Sequence, residues 1–172
     1  MVTSTFEEAS LREASFDFGL SATAFHWLDE ELALAKVAKL LRPGGWWAIV
    51  WNIFDDQSRS DPFHEATNIL LNGPSSPSAR SGDMPFALDV EARITALERT
   101  DAFDNVEHQT SAWSLILDPD QTVALYATCS NINIRSDRET VLNELRRIAR
   151  DEFHGRVTRN MVTSLYFARR RP

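Results

Sequence analysis

Residues 16–22, Phe-Asp-Phe-Gly-Leu-Ser-Ala, alternate strictly. Phe16, Phe18, Leu20 and Ala22 fall on one side of an extended chain, and Asp17, Gly19 and Ser21 on the other. That period of two predicts a strand, and the small residues on its second side admit close approach by a helix or a ligand. The period then changes. Ala33, Leu34, Val37, Leu40 and Leu41 recur at helical spacing, with Lys36 and Lys39 off the stripe. Asp29 stands where an N-cap belongs, Glu30 and Glu31 suit the positive end of the helix dipole, and Arg42 suits its last turn. Pro43-Gly44-Gly45 is expected to end the helix, since proline disfavours helical geometry in the residue before it and glycine tolerates the turn. Trp46 to Trp51 is a continuous apolar run, the pattern of a strand covered on both faces. Strand, helix and strand in this close succession predict a right-handed βαβ unit.

Further along, Asp61-Pro62 opens a helix over 62–71. Residues 72–85, rich in Gly, Pro and Ser, read as a mobile loop. A helix is expected from Ala87 to Arg99, a strand within 105–117, and helices over 119–130 and 137–153 with Asp137 capping the second. Gly155 stops that helix, and the last strand lies within 157–168. The class is α/β, with no internal repeat and no boundary in the pattern, so 1–172 is expected to form a single domain.

Composition narrows the possibilities. Of 172 residues 43% are hydrophobic, with ten Phe and five Trp, enough for a core rather than a disordered chain. The net charge of -7 argues against a duplex-binding surface, and the one basic run, Arg169-Arg170-Arg171, reads as a solvated terminus. A single cysteine, Cys129, forms no internal disulfide, and His64, His108 and His154 lack ligand spacing, so no metal site is expected. No stretch has the apolar length to span a bilayer. A cytoplasmic protein binding neither nucleic acid nor membrane is the expectation.

The order of motifs is more specific than any one of them. Phe6-Glu7-Glu8-Ala9 is followed by Ser15-Phe16-Asp17, then Ala24-Phe25-His26-Trp27-Leu28-Asp29, then Leu40-Leu41-Arg42-Pro43-Gly44-Gly45 and a strand ending Trp51-Asn52. Trp113, Tyr126, Thr128, Ser130 and Thr163-Ser164-Leu165-Tyr166 continue the pattern. This resembles the class I S-adenosylmethionine-dependent methyltransferases, in particular the small-molecule branch similar to trans-aconitate methyltransferase.

The resemblance implies a Rossmann-like sheet, of which this chain is expected to carry the fourth to seventh strands with flanking helices, the last strand antiparallel. It implies S-adenosylmethionine as cofactor, with Phe6 and Glu7 passing the adenine and Ser21, Ala22 and Thr23 near the methionine portion. Phe25, His26, Trp27, Trp51 and Asn52 would stand on the substrate side. Relatives hold most of the cofactor with a glycine-rich turn and an acidic residue from earlier strands. This sequence has no Gly-x-Gly turn between a strand and a helix, so the expectation is a C-terminal part that binds cofactor poorly alone. His26 is the candidate base, although transfer from a sulfonium needs mainly alignment. Ser21 has no base in reach in the sequence to make it a nucleophile. An unpartnered 16–22 strand would leave an open edge, predicting a homodimer through it or a cover formed by residues 1–15. A non-catalytic dimerisation or interaction module, or a truncated or decayed gene product, are the alternatives to an active enzyme.

Overall fold

The structure is a computed structural model that describes residues 3–54, 58–71 and 85–172. Its four-stranded sheet contains β1 (Phe16–Ala22), β2 (Leu41–Ile53), β3 (Phe103–Leu117) and β4 (Val157–Arg170), in the order β1-β2-β4-β3. The last strand in the chain is thus inserted beside β2. Between β1 and β2 runs α1 (Glu30–Leu40), capped by the Asp29 carboxylate, which accepts from the Leu32 N–H at 3.0 Å. β1 and β2 are parallel, with Gly19 opposite Trp47 and Ala22 opposite Val50. The expected βαβ unit is present.

The Pro-Gly-Gly turn lies elsewhere than the sequence suggested. α1 stops at Leu40, and Leu41 to Gly45 already belong to β2. There the pairing jumps from Phe16 opposite Leu41 to Phe18 opposite Trp46, so Arg42 to Gly45 form a bulge. Arg42 therefore does not complement the helix end; its guanidinium binds Asp17 at 2.6 Å across the bulge. A side chain at Gly45 would meet the Asp17 and Arg42 carbonyl oxygens at 3.0 Å, and Gly44 has a φ of +80°. The close approach expected at Gly19 is also real, but what approaches is the Trp47 ring: a Cβ on Gly19 would stand 2.8 Å from it. Gly19→Ala should consequently destabilise the protein by about 1–3 kcal/mol through overpacking. A denaturant midpoint unchanged from the parent would contradict this.

Contacts divide the chain into two compact units, the first comprising residues 1–52, 78–111 and 163–172, the second 53–77 and 112–162. In the first, α1 buries Ala33, Leu34, Val37 and Leu40 of the expected stripe and Ala38 besides, while Leu41, also expected on that stripe, is buried in β2 instead. Helix α3 (Val90–Arg99), capped by Asp89, contributes Leu97, and Arg93 on it pairs with Glu30 of α1 at 2.9 Å. Burial pushes the Glu30 carboxyl up, an effect the Arg93 guanidinium opposes.

In the second unit, α2 (Pro62–Leu71), α4 (Pro119–Tyr126), the short α5 (Ser130–Asn133) and α6 (Arg138–Asp151) build one core. It joins Phe63, Tyr126, Ile132, Leu145, Ala149 and Val157, among others. Asp118 and Gln121 form a reciprocal capping box at the start of α4. Asp137 occupies the N-cap position of α6 but makes no capping hydrogen bond; its carboxylate is held by Arg135 at 2.8 Å instead. The loop expected over 72–85 lies outside the described residues except for Pro85. Among the described residues no helix is long and apolar enough to cross a membrane.

Candidate functional site

In the first unit, the carboxyl ends of the parallel strands β1 and β2 meet, the rim at which open α/β sheets bind ligands. The chain leaves β1 through Thr23, whose φ is +50°. A β-branched residue in the left-handed region is strained by about 1–3 kcal/mol, and such strain clusters at functional sites. The Thr23 N–H donates to the Val50 carbonyl at 2.8 Å, which locks the turn to β2. Thr23→Gly should relieve the strain and raise the stability by about 1 kcal/mol, read as a higher thermal midpoint; a lower midpoint would refute it.

A single 3₁₀ turn, Phe25–Trp27, follows. Phe25 is fully buried, its ring 5.8 Å from that of Trp47, so it forms the floor of the turn rather than a wall open to solvent. Trp27 is half exposed. His26 lies between them, with ring centres 5.3 Å from Trp27, 6.4 Å from Trp51 and 6.4 Å from Phe86. The Trp51 indole N–H donates to His26 Nδ1 at 3.0 Å. An indole nitrogen can only donate, so Nδ1 carries a lone pair and the neutral ring holds its proton on Nε2. His26 therefore presents a hydrogen-bond donor, not a proton acceptor, which argues against the role of general base.

Burial lowers the His26 pKa, and burial lowers that of His108 likewise. A histidine whose folded pKa lies below its unfolded value binds protons more readily when unfolded. Its contribution to stability is complete above the unfolded value near 6.5 and is lost as the pH falls below it. The His26 ring signals should titrate below 6.5 in an NMR series. Trp51→Phe, which removes the donor facing Nδ1, should move that titration upward, and an unmoved titration would sink the tautomer assignment.

Asn52, exposed at the end of β2, accepts from the Thr163 hydroxyl at 2.7 Å through Oδ1, which orients its amide. Phe6 and Ser21 line one apolar groove of about 340 Å³, together with Phe18, Leu20, Val37 and Trp47. Glu7, Ala22 and Thr23 are not part of its lining. The segment before β1 is pinned beside α1, where Lys36 Nζ donates to the carbonyls of Phe6, Glu7 and Ala9 at 2.6–2.9 Å. It leaves Phe18 and Leu20 at 57% and 56% exposure, so their apolar side stays largely open, and β1 stands at the end of the sheet.

Three neighbours of this rim, Phe86, Ser164 and Tyr166, were not among the expected site residues. Phe86 lies 5.7 Å from Trp51, and the Tyr166 and Ser164 hydroxyls both donate to the Ala87 carbonyl, at 2.8 and 2.9 Å. Since Ser164 gives its proton to Ala87, His108 Nε2 must donate to Ser164, and the His108 ring stacks on Tyr166 at 4.3 Å. The repeated aromatic and hydroxyl positions on β4 are the one signal that could have pointed to this network.

Residues 1–49 match the family described as a methyltransferase domain. An uncharacterized methyltransferase of Mycobacterium tuberculosis is 33% identical over 126 residues, covering 73% of this chain, and one of Mycobacterium bovis matches equally. The chain spans 44% of the length of these relatives. Among solved structures, one described as a type II methyltransferase from Anaeromyxobacter dehalogenans superposes with a TM-score of 0.54 at 18% identity, over 96% of this chain and 68% of that one. The YcgJ protein of Bacillus subtilis does so with 0.50 at 18%, over the same shares. The sheet is the Rossmann-like sheet of those folds.

Proposed function

Because the chain belongs to the class I S-adenosylmethionine-dependent methyltransferase family, we propose that it serves methyl transfer from S-adenosylmethionine to a small molecule, supplying the rim at the ends of β1 and β2. The observation that carries this reading is the strained turn at Thr23, placed directly before the His26–Trp51 pair. The groove beside Phe6 and Ser21 suits the apolar part of the cofactor. Nothing in its lining is a carboxylate that could accept from ribose hydroxyls, so the fit is partial. The cofactor's sulfonium supplies the methyl group. This chain's residues orient: His26 donates from Nε2 to an acceptor oxygen, Trp27 screens it from water, and Asn52 marks the far side. Alignment of a lone pair is most of what such a transfer needs, which a donor histidine serves better than a base would.

Cofactor affinity of this chain alone is then weak. Calorimetry with S-adenosylhomocysteine should give a Kd above about 100 μM, and micromolar binding would overturn that point. Coexpression with the part of the mycobacterial relative that this chain does not match should restore binding and transfer. A stable complex that still binds no cofactor would sink the methyl-transfer reading.

The exposed β1 edge favours a second reading, an association module acting as a homodimer. Phe16, Phe18 and Leu20 lie 41%, 57% and 56% open, and burying each is worth roughly 1.5–3 kcal/mol. A two-fold, antiparallel pairing centred on Gly19 would set Phe18 opposite Leu20 of the second copy and Asp17 opposite its Ser21. Apolar meets apolar and no like charges face each other. Light scattering should return a dimer that Leu20→Lys dissociates; a monomer at micromolar concentration removes this reading.

A further inference from the structure

Arg159 of β4 lies within the second unit with 1% of its side chain exposed. Its Nε–H donates to Asp61 Oδ2 at 2.8 Å. Its guanidinium carbon stands 4.3 Å from the centre of the Phe54 ring, 5.5 Å from that of Tyr126 and 5.8 Å from that of Phe63. The Asp61 carboxylate balances the charge, and the ring faces add cation–π attraction. Two donors remain. Arg159 Nη1 and the Tyr126 hydroxyl are enclosed, and neither has a hydrogen-bond partner among the described residues. Enclosed polar atoms in folded proteins are nearly always satisfied, so two exceptions in one cage need a cause.

We propose that Arg159 and Tyr126 form a subsite for the carboxylate of a small organic molecule. A guanidinium offers only N–H donors, and a carboxylate offers only acceptors. The Phe54 and Tyr126 rings, 6.4 Å apart and within 7° of parallel, provide an apolar flank for the carbon part of such a ligand. A cation is disfavoured, because the Asp61 oxygens are already taken: Oδ2 by Arg159 and Oδ1 by the His64 N–H at 2.9 Å. That this ligand is the methyl acceptor rests on the function proposed above; that the subsite binds a carboxylate does not. An enclosed water is the competing occupant.

The test is a titration of the whole chain with benzoate, using benzyl alcohol as the neutral control, followed through the Arg159 side-chain N–H signal by NMR. Benzoate should shift that signal saturably and benzyl alcohol should not. Tyr126→Phe should weaken benzoate roughly tenfold without lowering the thermal midpoint, since the hydroxyl it removes has no partner in the free protein. Arg159→Met combined with Asp61→Asn should abolish binding; if that variant does not fold, Tyr126→Phe decides alone. No saturable shift up to about 50 mM benzoate, or an affinity unchanged in Tyr126→Phe, would leave only an enclosed water and overturn the subsite. Benzoate binding to this chain, with no methyl transfer even after coexpression with the part of the mycobacterial relative that it does not match, would keep the subsite and sink the enzymatic reading instead.

Discussion

Asp61→Ala is expected to lower the stability of the protein by about 3–5 kcal/mol. One oxygen of this carboxylate caps α2 at the His64 N–H, at 2.9 Å, and the other holds the buried Arg159 at 2.8 Å. Removing it strands a guanidinium whose side chain is 1% exposed. The stranded charge dominates the loss; the cap alone is worth about 1 kcal/mol. Asp61→Asn separates the two effects, because asparagine caps as well as aspartate but carries no charge to balance Arg159. Its midpoint in urea should fall between those of the parent and of Asp61→Ala. A loss in Asp61→Ala below about 1 kcal/mol would mean that the pair behaves as an exposed one and that the cage is open to water.

Phe25→Ala should be comparably severe, at about 3–5 kcal/mol, with a consequence beyond stability. Phe25 is fully enclosed beneath the turn that carries His26 and Trp27, in contact range of Trp47. Emptying that floor lets the turn sink. The Trp51 N–H, which donates to His26, should then exchange with solvent faster, as hydrogen exchange would measure. Phe25→Leu keeps most of the volume and should cost under about 1.5 kcal/mol. If both variants left the Trp51 signal protected, the turn would be held by something other than its floor.

Much of the fold was legible along the chain because its signals are local. Strict alternation over 16–22, the stripe of α1 and the caps at Asp29 and Asp61 each depend on residues a few places apart. Where the reading slipped, a competing partner had intervened, two residues away for Asp137 and 25 away for Arg42. Asp137 looks like a cap, but Arg135 competes for its carboxylate. Arg42 looks like the end of a helix, but Asp17 draws it into β2. The alternation of β1 tells which residues share a side; the 57% exposure of Phe18 follows from what packs there, which no local pattern encodes.

The candidate site divides in the same way. The order of Ala-Phe-His-Trp, Pro-Gly-Gly and Trp-Asn marks a strand–helix–strand rim and the family to which it belongs, since both rest on residue types at short spacing. The tautomer of His26 at that rim follows from the fold, because Trp51 is 25 residues away and reaches Nδ1 only once β1 and β2 are paired. Arg159 and Asp61 stand 98 residues apart, and nothing near Arg159 in the chain announces burial. Periodicity and capping act over a few bonds and survive in the linear text. Tautomers, buried charges and unpaired donors depend on the dielectric and the neighbours that packing creates, and these exist only in the folded molecule.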